Sequence, residues 1–550
     1  MTIYKSNFPP LPVGTRPITD ELLDAIWKVG QQQPNKPVFI NAETGQKVTF
    51  HELYHKSHSL AAFLEEKGFG HKQIACAVMR NSWEYFAAFL ACGIVGGALS
   101  GASPLFGELE LQQQFNDSKA NVVFCMEYSL QNVLDAKKKC PKVKTIILCG
   151  EYNGPLPDGV IKFEEVVKHS PILKKKRGPI DINKDVAFLP YSSGTTGPPK
   201  GVIQSHKGYW SMIIILRNAL ENLVMRRIDP NWDWREESMQ ILLPMYHNYG
   251  FSIAVMSVWV GCTSIIIEKF TPDILFKSIQ DYKIRFCNMV PPMLILMAKS
   301  PIALKYDLSS IDFILSGAAP LSADVMEQVL KRFPTIKQIG QGYGMTEMSM
   351  GGHLAEYDVN CPLGTVGRLA PNFEMRITDP DTDEDVKPGE TGEFRVRSPT
   401  LMVGYFNRPD ATRESFDELG FLKTGDIGYM DKDGWCFIVD RRKELIKVKG
   451  HQVPPAELEA LLLSNKRIAD CAVIGVPDDR NGEVPKAFIV KSDPKLTEKE
   501  VHEFVAKNVA KYKQLTGGVE FLKEIPKSPS GKILRRFLRD SEMKKRKSKI

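Results

Sequence analysis

At 550 residues, 43% hydrophobic and 25% charged, the chain has the make-up of a globular protein, long enough for roughly two to four domains. The net charge of +7 is modest and part of it sits in a basic tail over 544–549, and neither a basic stripe with interleaved aromatics nor zinc-finger spacing marks a nucleic-acid reader. The ten cysteines include no Cys-x-x-Cys pair, the start lacks a secretory apolar core, and the most apolar stretch, 251–267, is interrupted by Gly261, Cys262 and Thr263, so the expectation is a reduced, intracellular protein without a transmembrane segment.

Leu22, Leu23, Ile26, Trp27 and Val29 recur at helical spacing and predict a helix within 18–35. Short β-prone runs at 38–40 and 48–50 flank Glu43-Thr-Gly45, the pattern of a hairpin. The stretch 49–67 reads as an amphipathic helix opened by a Thr49 cap. Strand-like runs at 74–79, 120–125 and 143–149, with a helix around 83–92, set a βαβ rhythm that predicts an open, mostly parallel α/β architecture. A polar, basic segment over 166–184 leads into a strand at 185–190. Further strands at 239–244, 286–290 and 313–316 run into Pro or Gly, and 251–267 reads as a buried helix or strand pair. Ligands in such sheets gather at the carboxyl ends of the strands, and the informative loops here all follow strands. Near 375 the segments turn short, β-rich and turn-rich, predicting a small β-barrel-like or sheet subdomain over about 370–440. A fresh α/β pattern begins at 455, with a helix at 455–464, strands at 468–476 and 487–490 and a helix at 497–512. It predicts a small α+β C-terminal domain joined through the charged stretch 440–447.

Between these elements lies Tyr191-Ser-Ser-Gly-Thr-Thr-Gly-Pro-Pro-Lys-Gly-Val202. Its glycines let backbone N–H groups converge on an anion, its hydroxyls add donors and Lys200 adds charge, a composition suited to phosphate. Pro198-Pro199 forbids an immediate helical start, which separates it from the Gly-x4-Gly-Lys-Ser/Thr loop of P-loop nucleotide enzymes.

Six more motifs follow in order: Pro244-Met-Tyr-His-Asn-Tyr-Gly250, Ser316-Gly-Ala-Ala-Pro-Leu321, Gln341-Gly-Tyr-Gly-Met-Thr-Glu347, Lys423-Thr-Gly-Asp426, the stretch 440–450, and Pro529-Ser-Gly-Lys-Ile533. Over nearly its whole length the chain resembles the adenylate-forming (AMP-binding) superfamily of acyl-CoA synthetases, coumarate–CoA ligases and beetle luciferase-like proteins. The resemblance implies a large N-terminal domain over 1–440, a mobile C-terminal domain over 441–550 with its hinge near Lys443, and an active site between them. It implies a two-step acid–thiol ligase. A carboxylate attacks the α-phosphate of ATP, giving acyl-AMP and pyrophosphate, and the CoA thiol then attacks the acyl carbon and releases AMP.

The resemblance also assigns roles. Ser192, Ser193, Gly194, Thr195, Thr196 and Lys200 would hold the β- and γ-phosphates, while Thr346 and Glu347 would sit at the α-phosphate and Mg²⁺. Gly317, Ala318 and Ala319 would border the adenine, opposite Gln341, Gly342 and Tyr343; Asp426 and Arg441 would reach the ribose. Lys532 would bridge the substrate carboxylate and the phosphate during adenylation, and His247 would stand by the attacking carboxylate. After domain rotation about Lys443, Lys447 would replace Lys532 near acyl-AMP, Lys449 and Gly450 would line the CoA tunnel, and Lys269 would contact CoA. Tyr249 and Met350, with Lys443 and Lys447, complete the acyl-side set.

The chain departs from the family pattern at Tyr249, where luciferases have Phe, and over Met348-Ser-Met-Gly-Gly-His353. The adaptable Met350 and its glycines point to an apolar acid, fatty or arylalkanoic. Alternatives are an adenylation enzyme loading a separate carrier protein, a luciferase-like monooxygenase and an inactive binding relative. The C-terminal Ser548-Lys549-Ile550 is one residue from the peroxisomal Ser-Lys-Leu address, which implies a peroxisomal import receptor as partner and otherwise a cytoplasmic enzyme.

Overall fold

The βαβ rhythm of the first half produces a parallel sheet. The structure, a computed structural model, describes residues 2–175, 177–192, 199–449, 451–478, 480–528 and 531–547. Ala98–Ala102, Ile74–Val78, Val122–Cys125, Thr145–Leu148 and Val160–Lys162 lie side by side in that order, all parallel. Both central strands are buried along their whole length, as parallel strands covered on both faces must be. Helix Trp83–Ile94 is buried throughout, which explains its near-continuous apolar sequence. At one edge Val186–Phe188 continues the sheet and pairs with Lys200–Ser205, which in turn pairs with Tyr191–Ser192. The two described ends of the glycine-rich motif are therefore paired antiparallel, and a strand follows Pro199 where a P-loop would open a helix.

Two further sheets complete the α/β part. Ser238–Ile241, Thr263–Ile266 and Pro37–Asn41 run parallel, and Lys47–Thr49 closes the expected hairpin. Thr49 caps helix Phe50–Glu66 with Glu52 in a reciprocal box, each accepting from the other's backbone N–H at 3.1 and 2.8 Å. Phe286–Met289, Phe313–Ser316 and Gln338–Gln341 form a parallel trio. The apolar stretch 251–267 is most of helix Asn248–Trp259 followed by strand Thr263–Ile266, and among the described residues no helix is long and apolar enough to cross a membrane. The β-rich region is an antiparallel sheet of Glu374–Thr378, Gly392–Arg397, Leu422–Met430 and Cys436–Arg441, with Tyr4–Lys5 as a fifth strand.

The small C-terminal domain is built on Gly482–Lys491, which pairs with Ile468–Asp478, Ile446–Val448 and Val519–Phe521. Helices Pro455–Ser464 and Glu498–Asn508 bury Leu458, Leu462, Val501 and Val505 in one apolar cluster, while Leu538 of helix Arg535–Lys547 joins a second cluster with Ile474, Val484 and Phe488. Arg535 locks that last helix down with two bonds to the Glu459 carboxylate, at 2.7 and 2.8 Å. Between the domains, Lys299 of the large one donates to the carbonyls of Leu463 and Ile468 at 3.1 and 2.9 Å, capping the end of helix Pro455–Ser464.

Candidate active site

The stem of the glycine-rich hairpin is fixed from below. The Tyr191 hydroxyl donates to Asp117 Oδ2 at 2.8 Å, and Arg408 holds the other oxygen of that carboxylate at 2.6 Å. Ser192 faces Lys200 across the hairpin. Ser193, Gly194, Thr195 and Thr196 fall outside the described residues. The Lys200 ammonium lies 4.6 Å from the centre of the Tyr405 ring, a cation–π distance. The Tyr405 hydroxyl donates to Glu347 Oε1 at 2.9 Å. Lys200 and Glu347, distant in sequence, thus meet through one tyrosine that sequence reasoning did not single out.

Thr346 and Glu347 form one short 3₁₀ turn, Thr346–Met348, after the strand Gln338–Gln341. The Gln204 side chain donates to the Thr346 carbonyl at 2.6 Å and accepts from the Ser349 hydroxyl, pinning both ends of the turn. The chain then passes through positive φ at Ser349 (59°) and Met350 (134°). Gly344 makes this possible, because a Cβ there would stand 1.8 Å from the Met350 carbonyl oxygen. Backbone held in such regions collects at functional sites, where surrounding contacts impose it. Glu347 is 6% exposed. Among the described residues no group of three or more acidic, His or Cys side chains could hold a metal by itself. A lone buried carboxylate fits a Mg²⁺ that takes its other ligands from phosphates and water.

The adenine-side expectations fall on two neighbouring strand ends. Gly317 follows Phe313–Ser316, and a Cβ on it would meet the Tyr249 ring at 2.8 Å, so Tyr249 demands the glycine. Gln341 ends the next strand and accepts from Leu321 N–H at 2.8 Å, which holds the loop carrying Ala318 and Ala319. Tyr343 donates to Asp426 Oδ2 at 2.7 Å, and Arg441 Nε stands 3.1 Å from Asp426 Oδ1. Asp426 and Arg441 are directly paired across adjacent strands, and Asp426 is 3% exposed. Each carboxylate oxygen keeps a second lone pair for a ribose-like hydroxyl.

From the other side comes the loop with Lys532. Its neighbour Gly531 is at φ 80° and lies so close to the large domain that a Cβ would meet Val290 at 3.1 Å. Burial, reinforced by the Arg441 charge, lowers the Lys532 pKa to about 8 against the partial support of Asp426, Glu444 and Glu347. Burial together with the Lys532 charge lowers His247 to about 4, so its imidazole is neutral. His247 is also the N-cap residue of helix Asn248–Trp259. Lys532, His247, Glu347, Asp426 and Arg441 therefore share one cleft between the two domains.

Behind His247 opens a cavity of about 200 Å³. Tyr249, Met256, Leu315 and Met350 line it, and a wall sequence reasoning missed comes from Leu220 and Val224 of a π-helical segment, Ala219–Met225. Such wide turns recur at functional sites. Residues expected on the thiol side lie elsewhere. Lys443, Lys447 and Lys449 are exposed on the small domain, the last at φ 49°, and Gly450 is outside the described residues. Lys269 is exposed too, and its backbone N–H donates to Glu43 at 2.8 Å.

The family model described as AMP-binding enzyme matches residues 26–406, and that of the AMP-binding enzyme C-terminal domain matches 457–532. The chain belongs to the AMP-binding enzyme family. Among relatives of this AMP-binding enzyme, 4-coumarate–CoA ligase 1 of Arabidopsis thaliana is 37% identical over 552 residues, covering 98% of this chain and 95% of the relative. The peroxisomal OPC-8:0-CoA ligase 1 of the same plant is 37% identical over 540 residues, covering 97% and 95%. The fold matches a solved anthranilate–CoA ligase in complex with anthranoyl-AMP at a TM-score of 0.84, with 22% identity and coverage of 96% and 98%. As in that structural relative, this AMP-binding enzyme has a large N-terminal and a small C-terminal domain around its cleft.

Proposed function

We propose that this AMP-binding enzyme is an ATP-dependent acid–CoA ligase, turning a fatty or arylalkanoic acid into its acyl-AMP and then its acyl-CoA. The observation that carries the reading is the meeting of Lys532, from the small domain, with His247, Glu347 and Asp426, from the large one, and Arg441, where the two join, at the mouth of a largely apolar cavity. The relatives that share more than a third of its residues are named as CoA ligases.

In the first half-reaction, Gly317, Ala318, Ala319, Gln341, Gly342 and Tyr343 seat the adenine, and Asp426 with Arg441 takes the ribose. Ser192 to Thr196 and Lys200 hold the leaving pyrophosphate, and Thr346 orients the α-phosphate. Neutral His247 offers a hydrogen bond to the incoming carboxylate without competing for it as a charge. Lys532 draws carboxylate and α-phosphate together, a task for a point charge on a flexible stem. Glu347, with the nucleotide's phosphates, would hold Mg²⁺, which supplies neutralisation of phosphate charge.

In the second half-reaction the small domain turns about a hinge near Lys443, withdrawing Lys532 and presenting Lys447, with Lys449, Gly450 and Lys269 on the path of CoA. Lys447 is exposed while Lys532 is half-buried and faces the cleft, which supports reading this structure as the adenylating arrangement. The test is pyrophosphate release from ATP across a panel of acids, with and without CoA. Release without CoA, then AMP release only with it, is expected, and silence with every acid would sink the ligase reading.

Ser548-Lys549-Ile550, outside the described residues, is the proposed peroxisomal address. A reporter carrying these residues at its C-terminus should enter peroxisomes, and a diffuse reporter would remove the proposal.

A further inference from the structure

The cavity behind His247 is mostly apolar, yet four of its lining side chains are polar and nearly fully buried: Asn248 is 5% exposed, Asn288 3%, Ser316 1% and His353 1%. Among the described residues Asn248 Oδ1 and Nδ2, Ser316 Oγ and both ring nitrogens of His353 have no hydrogen-bond partner. Buried polar atoms almost always find partners, and a cluster of exceptions round one cavity asks for a ligand that supplies them. Two other polar side chains of the wall are already engaged. Tyr249 donates to Asn288 Oδ1 at 3.3 Å, and Asn288 Nδ2 contacts the Met239 sulfur at 3.6 Å.

His353 is held for this purpose. Its ring stacks on Phe394 at 5.6 Å between centroids and leans on Tyr343 at 5.4 Å. Its backbone pairs with Tyr343 in an isolated bridge and with Leu369 in a short ladder. Burial lowers its pKa to about 3, so it is a neutral imidazole with one donor and one acceptor to offer. Asn248 likewise offers both kinds. No Lys, Arg, Asp or Glu is among the lining residues, so a second charge on the ligand would be buried without a counter-ion.

Resting on the ligase reading above, we infer that the acid carries, on its otherwise apolar body, a neutral group that both donates and accepts hydrogen bonds, a hydroxyl, received by Asn248 and His353. This narrows the class from a plain fatty or arylalkanoic acid to a hydroxylated one and excludes dicarboxylic acids. A site with unpaired polar groups rejects the analogue that lacks their partner, whereas an apolar pocket barely distinguishes the two.

The test uses the full chain and matched acids: dodecanoate against 12-hydroxydodecanoate, and 3-phenylpropanoate against its 4-hydroxy derivative. The readout is the ratio of kcat/KM in pyrophosphate release. The hydroxylated member of at least one pair should be favoured by about tenfold or more. Asn248→Leu and His353→Leu, made separately, should each pull that ratio towards one. A ratio of one or below in both pairs overturns the inference and leaves buried water as the partner of these atoms. So does a preference that survives in both variants. Turnover without discrimination removes this inference alone, whereas no pyrophosphate from any acid removes the ligase reading and this inference with it. Should one variant fail to fold, the wild-type ratios and the other variant still decide.

Discussion

The two walls of the cleft are built on opposite plans. The large-domain wall is a set of loops at strand ends, each tied by buried bonds: Gln204 to Thr346, Tyr405 to Glu347, Tyr343 and Arg441 to Asp426. The small-domain wall contributes one loop, whose Gly531 touches Val290, and the domain is bolted to its partner by Lys299 on two carbonyls. On the proposed mechanism, the difference separates what must stay in place from what must leave. A nucleotide retained through two half-reactions needs a rigid seat. A lysine useful in only the first can sit on a body that moves, provided the contacts holding it are few.

Removing the movable charge should have the largest effect. Lys532→Ala is expected to slow acyl-AMP formation by about 10² to 10³-fold, the range for losing a preorganised group at developing charge, while thioester formation from supplied acyl-AMP proceeds. Lys447→Ala should spare adenylation and slow the thioester step. Burst measurements of pyrophosphate and single-turnover assays with synthetic acyl-AMP separate the two. If both variants lose the same half-reaction, the walls do not divide the work.

Loosening the bolt should cost less. Lys299→Met keeps the apolar stem and deletes both bonds to the carbonyls, so adenylation should fall by about tenfold, near the worth of one or two hydrogen bonds, with the thioester step unharmed. Gly531→Ala tests the same wall from its other end, since the added methyl meets Val290 at 3.1 Å on backbone already at positive φ. An equal fall in both half-reactions would mean that these contacts serve general stability and not one arrangement.

The same contrast explains what the sequence revealed. Strands rich in β-branched residues, the Thr49 cap and the hairpin around Gly45 follow from local patterns and stand in the structure. Ala98–Ala102 is a central strand with no β-branched residue, so only its burial between neighbours makes it one. Tyr4–Lys5 becomes a strand because the sheet edge at Glu374 and Met375 is there to receive it. The wall proposed for the nucleotide was legible as a set of contiguous motifs, which the fold brings together at one cleft. The polar part of the acyl wall was not: Asn248, Ser316 and His353 stand inside the sequence motifs, but nothing local shows that a helix start, a strand end and a short bridge bring these three round one cavity. Tyr405 was missed for the same reason, since nothing near it in sequence signals that it joins Lys200 to Glu347.

The smallest expected effect is also the sharpest probe of the movable wall. Burial and Arg441 together lower the docked Lys532 from 10.5 to about 8. On the proposed mechanism adenylation uses the charged form, so kcat/KM for ATP, which reports the free enzyme, should fall as pH rises through about 8 and stand near half its plateau there. Docking has the opposite sign. Undocked, the lysine titrates at its ordinary value, so between about 8 and 10.5 the undocked state holds more protons and docking grows more favourable as pH rises. A fall in activity across that window therefore comes from lost charge and not from the small domain letting go. Lys532→Arg keeps its charge throughout; whatever it loses in rate to the bulkier fork, its profile should be level through pH 8. If the arginine variant bends at the same pH as the wild type, another group governs the fall.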